Sequence, residues 1–593
     1  SEDLTGALSV TADPDQALLA ALRLVEADPA TGILLKEAGT ARDRLLAVLG
    51  GSNALGDHLV RHPEHARVVA DPEPFGRGQV FPAPEKLRER LTAAVAGLTG
   101  RPGMDALRVA YRRELLLIAA ADLVAEDPVE LLPDVAAALA DLAAAALEAA
   151  VVLARAETEG AENVRFAVIG MGKTGGRELN YISDVDVVFL VAPRQTDART
   201  DADAGERSAY SSIDDAIAVG THLATAVVRI CGSSTGEGSL WQVDAALRPE
   251  GKQGPLLRSL DSHREYYQRW AKTWEFQALL KARHVAGDEA LSEEWLDLVR
   301  PMVWEASARD GFVENVQAMR RRVEEHVPSA EAPWQLKLGP GGLRDIEFSV
   351  QLLQLVHGRT DEELHSGTTL EALAALRDGG YVARDDAHAL DDAYRFLRVL
   401  EHRVQLHRLR RTHLMPSTEA DQRRLGRSLG ERRDAATTVV QRWRAQQREV
   451  RRLHERLFYR PLLAAVAKLS SDEVRLSPEA AKERLAALGF RDPAGAMRHL
   501  ESLTEGVSRR ATIQRHLLPV MLGWFADGAD PDAGLLAFRR ISDTLGTTHW
   551  YLKMLRDEGS AAERLAHVLS TSRYAVELLI RAPESVSLLG EPT

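Results

Sequence analysis

Cysteine is almost absent from this sequence, which has one, Cys231, among 593 residues. A structural disulfide framework and a cysteine-based zinc site are therefore excluded, and the composition fits a reducing compartment. The first residues, Ser1-Glu2-Asp3-Leu4, lack the basic and apolar segments of a signal peptide. We therefore expect a cytoplasmic protein.

Basic residues are too few to balance the acidic ones, and the net charge is −13. Non-specific binding to nucleic acid requires a basic surface, so we expect no nucleic-acid partner. The length predicts several domains, and the apolar share of 45% is typical of globular proteins.

Long uninterrupted apolar segments are also scarce. Residues 137–156 have the length of a membrane span, but Asp134, Asp141, Glu148 and Arg155 recur every seven residues and so line one helix face. Charges at this frequency are costly in lipid. We interpret the segment as an amphipathic helix and expect no membrane association.

Strand-like patterning is confined to residues 161–260, and the chain on either side reads as helices. Residues 164–169 predict a buried strand. The glycines that follow allow backbone N–H groups to approach a phosphate: Gly170, Gly172, Gly175 and Gly176. Residues 196–212, which are polar, predict a surface loop that is either mobile or a plain linker.

Two aspartates follow this glycine-rich segment. Asp184 and Asp186 stand two residues apart at the start of the apolar run 187–190. On a strand they share one face, about 6.6 Å apart along the chain. Residues 240–247 predict another strand, on which Asp244 is the candidate third carboxylate. Such carboxylates bind pairs of divalent cations that promote in-line displacement at phosphorus.

The segment Gly172-Lys173-Thr174 does not complete a P-loop. That signature needs glycine at position 167, which is Ala167, and a helix directly after the threonine, where Gly175-Gly176 stands instead. Lys173 is therefore either a phosphate contact or a solvated lysine.

From residue 262 onward the pattern is helical, beginning with one long helix over 262–283. Residues 337–348 combine three glycines with Lys337 and Arg344 before a helix over 343–357, which is either a phosphate cradle or a plain helix start. Two arginine-rich helices, 391–411 and 437–459, predict solvated faces with internal ion pairs, and a docking face for an acidic protein is the alternative.

One pattern recurs along the chain. Ala41-x-x-Arg44-Leu45-x-x-Val48-Leu49-x-x-Ser52 and the later Pro63-Glu64 return with a constant offset, 568 − 48 = 520, ending in Pro583-Glu584. Either Ala/Leu-rich helices match by chance, or the chain begins a second copy of its own N-terminal helices.

Four segments together resemble the glutamine synthetase adenylyltransferase family over roughly residues 10–590. They are GMGKTGGRELNYISDVDVVFL from Gly170, VDAALRPEGKQGPL from Val243, WEFQALLKAR from Trp274 and KLGPGGLRDIEF from Lys337. The resemblance implies a mostly helical α+β protein, with a polymerase β-like nucleotidyltransferase domain (a small mixed sheet with helices) followed by helical bundles. We expect an N-terminal helical region over 1–125, the catalytic domain over 126–300, a bundle over 301–465 and a helical linker with the start of a second half over 466–593.

The resemblance also implies a site. Asp184, Asp186 and Asp244 are expected to be catalytic and to hold Mg²⁺ or Mn²⁺, with ADP or ATP and phosphate as substrates or products. We expect the nucleotide or phosphate to contact Gly172, Lys173, Gly175, Gly176, Ser183, Arg248, Lys281, Lys337 and Arg344. The family commonly has arginine where this chain has Ala246, so that phosphate contact is expected either to be lost or to be supplied elsewhere, by Lys252 or Lys281.

Met171 and Asn180 resemble the half of the family enzyme that removes AMP from adenylyl-tyrosine of glutamine synthetase by phosphorolysis. The expected partners are glutamine synthetase and a PII-type signal protein. Two alternatives stay open: adenylylation of the synthetase from ATP, and a catalytically silent regulatory module.

Overall fold

The computed structural model describes residues 2–71, 81–194, 212–309, 311–458, 482, 485–486, 488–504, 509–546, 548–557 and 559–590. It is mostly helical with one small mixed sheet, which confirms the expected fold class. The predicted loop over 196–212 lies outside the described residues except for Ser212, which caps the helix that follows it.

Nine helices precede the sheet in the described part of the chain, as predicted for residues 1–160. They are α1 (Glu2–Ser9), α2 (Pro14–Ala27), α3 (Thr31–Lys36), α4 (Thr40–Gly51), α5 (Asn53–Arg61), α6 (His65–Ala70), α7 (Pro84–Val95), α8 (Gly100–Leu123) and α9 (Leu132–Glu157).

The sheet and its connections follow. The elements are β1 (Val164–Gly170), α10 (Gly172–Gly175), β2 (Val185–Pro193), α11 (Ile213–Gly232), β3 (Val243–Asp244), β4 (Leu257–Arg258), α12 (Leu260–Arg269), α13 (Thr273–Leu279) and β5 (Arg283–Gly287). The strand order is β3-β2-β1-β5, with β4 also pairing with β2. Strand β1 is antiparallel to β2 and β5, whereas β3 and β4 run parallel to β2.

The helices after the sheet are α14 (Glu289–Glu305), α15 (Phe312–Glu325), α16 (Leu343–His357), α17 (Thr369–Asp378), α18 (Arg384–Arg408), α19 (Glu419–Arg427) and α20 (Ala435–Phe458). The last group is α21 (Pro493–Thr504), α22 (Arg509–Ala526), α23 (Pro531–Leu545), α24 (His549–Asp557), α25 (Gly559–Thr571) and α26 (Arg573–Arg581).

Both faces of the sheet are buried, in different cores. Phe166, Val168 and Val187 join the N-terminal helices in one hydrophobic cluster. Ile169 and Val188, which point the other way, join the helices up to α20 in a second cluster. A third cluster holds apolar residues from 485 to 586. The sheet is thus the layer shared by the first two cores.

Helix α9 is a core element. By length and composition alone, α9 and α11 are the described helices that are apolar enough to cross a membrane, but 83% of the apolar window of α9 is buried inside the protein. The charged face predicted for α9 contacts its neighbours: Asp141 pairs with Arg177 at 2.6 Å, and Glu148 accepts a hydrogen bond from the Gly287 amide. These contacts explain the seven-residue charge spacing.

Two predicted elements differ from the structure. The strand expected over 240–247 is only β3, because the Ala246 amide turns back to donate to Asp244 Oδ1. The prediction of one long helix over 262–283 is wrong, because the structure has two shorter helices there, α12 and α13. Glu275 Oε1 accepts from the Lys272 amide and starts a second helix. The chain then forms β5, a strand outside the region where strands were expected.

The repeated sequences form the same local structure. Ser52 and Ser572 both cap the second helix of a pair, each accepting from the amide three residues later. Helices α2 and α23 both begin at a proline after a capping aspartate, Asp13 and Asp530. Matching elements at both ends of the chain favour a duplicated origin over chance similarity.

Candidate functional site

The glycine-rich turn after β1 packs directly against a carboxylate. The Met171 amide donates to the Asp186 carbonyl, and Gly172 has a φ of +52°. A Cβ on Gly172 would lie 2.6 Å from Asp186 Oδ2, and one on Gly175 would lie 1.8 Å from the Lys281 carbonyl oxygen. Both positions therefore require glycine for close backbone approach.

We expect Gly172→Ala and Gly175→Ala to lower activity and stability, each by at least about 1–3 kcal/mol in stability, because a Cβ at either site meets atoms well inside contact distance. Gly6→Ala in α1 is the matched control, since nothing lies within 4 Å of a Cβ there. Thermal denaturation of the three variants checks this. Equal melting temperatures for Gly175→Ala and Gly6→Ala would contradict it.

The two strands that carry Asp186 and Asp244 are neighbours in register. Asp186 of β2 is the direct Cα partner of Asp244 of β3. Asp184 stands just before β2, and its carboxylate pairs with the Arg411 guanidinium at 2.5 Å. The predicted adjacency of the carboxylate-bearing strands is therefore observed.

Charge is concentrated at Asp186. Burial, and then the nearby Asp244 carboxylate, raise the pKa of Asp186 to about 6, and Asp184 adds to the shift. Mg²⁺ and Mn²⁺ prefer oxygen ligands such as carboxylates, and a bound cation offsets the repulsion between neighbouring carboxylates. The donor types of the three residues suit a divalent cation, which would neutralise their repulsion, but their carboxylate oxygens do not all lie within 4.8 Å of one another.

A cavity of about 330 Å³ opens beside Asp186. It brings together several of the predicted nucleotide- or phosphate-binding residues, which are Gly172, Lys173, Ser183, Lys281, Lys337 and Arg344. Apolar walls come from Leu247, Trp274 and Phe348. A pocket with apolar walls and convergent charged groups is typical of a small-molecule site.

The structure does not bring every predicted residue to this cavity. Gly175 and Gly176 line a second cavity of about 290 Å³, which shares Lys281 with the first. Arg248 donates to the carbonyls of Ala245 and Pro255 and so holds the turn after β3. Of the two residues expected to compensate for Ala246, Lys281 reaches the cavity and Lys252 does not line it.

Lys173 is a buried, partnered cation, so the solvated-lysine alternative is wrong. Its Nζ donates to Glu401 Oε2 at 3.0 Å and to Asn180 Oδ1 at 3.2 Å. Burial lowers the pKa of Lys173 to about 7. Glu401 is fully buried and also contacts His413 Nδ1 at 2.9 Å. The position of Lys173 thus depends on a residue from α18.

The prediction that residues 391–411 present a solvated arginine-rich face is wrong, because Arg398, Glu401 and Arg403 of α18 are buried. Sequence reasoning missed Glu401 because the local pattern gives no signal of its burial. The apolar residues between Phe396 and Leu406 lie on one half of α18, and Glu401 lies on the other half with Arg398 and Gln405, so the pattern predicts a solvated face. The prediction of ion-paired arginines holds for α20, where Arg452 is exposed and pairs with Glu449.

Two other cations at the cavity are held by acids. Lys281 Nζ forms a salt bridge with Glu178 and donates to Thr369 Oγ1 at 3.0 Å. Arg344 pairs with the buried Glu347 at 2.8 Å. Burial lowers the pKa of Lys337, which lines the same cavity. These contacts pre-orient the positive side chains around the space where an anion would bind.

The glycine turn against a strand-borne aspartate, a second aspartate in register and a cation-lined cavity define a nucleotidyltransferase domain. Residues 42–297 match the family model described as glutamate-ammonia ligase adenylyltransferase, and residues 312–458 match GlnD PII-uridylyltransferase. The match over residues 42–297 confirms the resemblance to the glutamine synthetase adenylyltransferase family that is seen in the motifs.

Curated relatives are similar to this chain along 99% of its length. It is 58% identical to the bifunctional glutamine synthetase adenylyltransferase/adenylyl-removing enzyme of Streptomyces coelicolor, 49% to that of Leifsonia xyli and 47% to that of Mycolicibacterium smegmatis. The chain covers 57%, 59% and 58% of these relatives, respectively. It therefore spans somewhat more than half of their length.

Proposed function

We propose that this chain removes AMP from adenylyl-tyrosine of glutamine synthetase by phosphorolysis. The observation that carries the proposal is the cavity in which Asp186 faces Lys173, Lys337 and Arg344. A carboxylate beside clustered cations suits a reaction in which a metal ion and cationic side chains both bind the phosphate groups of the substrate. The printed names of the relatives include an adenylyl-removing activity.

The direction of the reaction is proposed from Met171 and Asn180, which match the removing half of the family. Asn180 is buried, and its Oδ1 accepts a hydrogen bond from Lys173. Glycine, the residue expected in the adding half, has no side chain to make this bond. The residue expected to distinguish the two halves, Asn180, therefore also helps to position Lys173.

In the proposed reaction an oxygen of inorganic phosphate forms a bond to the AMP phosphorus, and the bond from that phosphorus to the tyrosine oxygen breaks. The products are ADP and unmodified tyrosine, and the proton of hydrogen phosphate ends on the tyrosine oxygen. Lys337 and Arg344 orient the incoming phosphate, and Lys173 contributes positive charge. The apolar walls exclude water, which would otherwise compete with phosphate.

Asp184, Asp186 and Asp244 are the residues that would hold Mg²⁺ or Mn²⁺. When bound, the cation supplies neutralisation of the negative charge on the phosphoryl oxygens. Arg411, which pairs with Asp184, is 58% exposed in its side chain and so is free to move away when a cation is bound.

The choice of acceptor tests the proposed direction. Adenylylated glutamine synthetase is incubated with the chain, Mg²⁺ and either phosphate or pyrophosphate. We expect ADP release with phosphate and no ATP release with pyrophosphate. ATP formation from pyrophosphate, or incorporation of AMP from labelled ATP into the synthetase, would instead support the adenylylation alternative. No reaction, together with no carboxylate-dependent binding of Mn²⁺ in calorimetry, would support the regulatory module.

We also infer a PII-type signal protein as a partner, in a cytoplasmic setting. The match of residues 312–458 to a PII-uridylyltransferase family supports this, because proteins of that family are named for PII. The region includes α20, whose exposed Arg442, Arg448 and Arg452 offer positive charge. The division of the chain at residues 125, 300 and 465 remains part of this proposal.

A further inference from the structure

Three histidines lie together among the N-terminal helices, where His58 and His65 are buried and His62 is partly exposed. His58 and His62 are four residues apart on α5 and its C-cap, and His65 begins α6. The ring centroids of His58 and His62 are 4.7 Å apart, and those of His58 and His65 are 5.2 Å apart. Glu237, from the loop after α11, reaches the same cluster with its Oε2 3.0 Å from His62 Nε2.

The ligand atoms of His58, His62 and Glu237 all lie within 4.8 Å of one another. Two imidazoles four residues apart, one on α5 and one at its C-cap, form a His₂Glu set with a carboxylate distant in sequence. Such a set is typical of zinc with a fourth position for water. Imidazole ligands favour zinc-like transition metals over Mg²⁺. The cluster thus differs in chemistry from the aspartates beside the large cavity.

The state of His58 is a second observation that points to a ligand. Its Nε2 lies 3.0 Å from His65 Nδ1, whereas no described residue offers its Nδ1 a hydrogen bond, although His58 is fully buried. A metal-binding histidine has this arrangement, with one nitrogen on the metal and the other held by a neighbour.

The second copy of the repeat shows that the histidines are not needed for the local backbone. At the same offset of 520, positions 58, 62 and 65 correspond to Leu578, Ala582 and Ser585. The C-cap residues His62 and Ala582 have nearly the same backbone angles, φ −127° and ψ 67° against φ −131° and ψ 72°. The three histidines therefore serve something other than the helix pair itself.

We propose that His58, His62 and Glu237 bind a zinc-class divalent metal, with His65 as the positioning residue behind His58. The metal would join α5 to the loop between α11 and β3. That loop already accepts hydrogen bonds from Arg108 at the carbonyls of Ser233 and Gly238. Since β3 carries Asp244, the metal stabilises the segment that leads to the third carboxylate, without contacting substrate.

The test is metal binding by the whole chain after treatment with a chelator. Zn²⁺ is titrated by calorimetry, and Co²⁺ is added separately to record the visible absorption of a tetrahedral site. We expect one tight equivalent of Zn²⁺, a rise in melting temperature and a Co²⁺ spectrum. His62→Gln and Glu237→Gln, which alter partly exposed side chains, should each weaken binding by roughly a hundredfold.

Two matched controls separate this site from other sources of metal binding. His222→Gln changes an exposed histidine on α11, and Asp186→Asn changes the proposed Mg²⁺ site. Both should keep wild-type zinc affinity. The proposal is overturned if wild-type chain takes up no zinc, if His62→Gln and Glu237→Gln bind it as wild type does, or if Asp186→Asn alone removes it. These readouts are independent of deadenylylation, so failure of the proposed function leaves them unchanged.

Discussion

The double variant Asp184→Asn/Asp186→Asn is expected to release ADP from adenylylated glutamine synthetase roughly a thousandfold more slowly than the wild-type chain. Asparagine keeps the shape of each side chain but removes the negative charge that would hold the cation. The assay is ADP release with phosphate and Mg²⁺ in excess. Raising Mg²⁺ or replacing it with Mn²⁺ should recover part of the lost rate if weaker cation binding is the cause.

Loss of stability will not explain that result. Folding raises the pKa of Asp186 to about 6, so the ionised carboxylate destabilises the folded state at pH 7. This destabilisation begins as the pH rises above the pKa of Asp186 in the unfolded chain and is complete above its pKa in the folded chain. Asparagine at position 186 removes this cost. Asp261→Asn is the control, because the Asp261 side chain is 86% exposed. A double variant as active as Asp261→Asn would refute the assignment of the carboxylates.

Asp122→Asn is expected to lower the free energy of unfolding by about 3–5 kcal/mol, because it leaves a buried charge without its partner. Asp122 forms a salt bridge with Arg403, with both side chains nearly inaccessible, and accepts a hydrogen bond from Tyr181 at 2.7 Å. Burial raises the pKa of Tyr181 well above its usual range, so the hydroxyl keeps its proton. These contacts join α8, the segment before Asp184, and α18.

Chemical denaturation followed by circular dichroism measures the effect. Asp57→Asn is the matched control, since the Arg23–Asp57 pair is about half exposed on both sides and should contribute about 0–1 kcal/mol. Tyr181→Phe should cost less than Asp122→Asn, because it removes one hydrogen bond and leaves the ion pair intact. Indistinguishable denaturation midpoints for Asp122→Asn and Asp57→Asn would show that the buried pair is not a significant source of stability.

Local patterns in the sequence predicted the centre of the site. The apolar run after Asp186 predicts β2, the glycines before it predict a backbone that a phosphate can approach, and Asp244 is expected on another strand. All three depend on side-chain alternation or on residue preferences within about ten positions. The structure pairs Asp186 directly with Asp244 in the sheet. The motif around Lys337 and Arg344 was also found locally, and both residues reach the cavity.

Contacts between distant segments could not be predicted in this way. The Lys173–Glu401 ion pair joins residues 228 positions apart, and nothing near either residue indicates the other. Strand β5 has only five residues and includes Arg283 and His284, so its pairing with β1 is invisible without the tertiary structure. For the same reason, the close packing of Gly175 against the Lys281 carbonyl could not be predicted from the glycine-rich segment alone.

The sheet with two buried faces makes the first two cores depend on one another. Because side chains alternate along β1 and β2, a shift of one residue would exchange the sets that face each core and separate Asp186 from Asp244. A fragment that ended at residue 300 would cut α14, which packs on β1 and β2, and would remove α15 and α16, which pack against α13 and α14. An uncovered apolar face promotes aggregation. The segment up to residue 300 is therefore not an autonomous folding unit, and its stability depends on the helices that follow it.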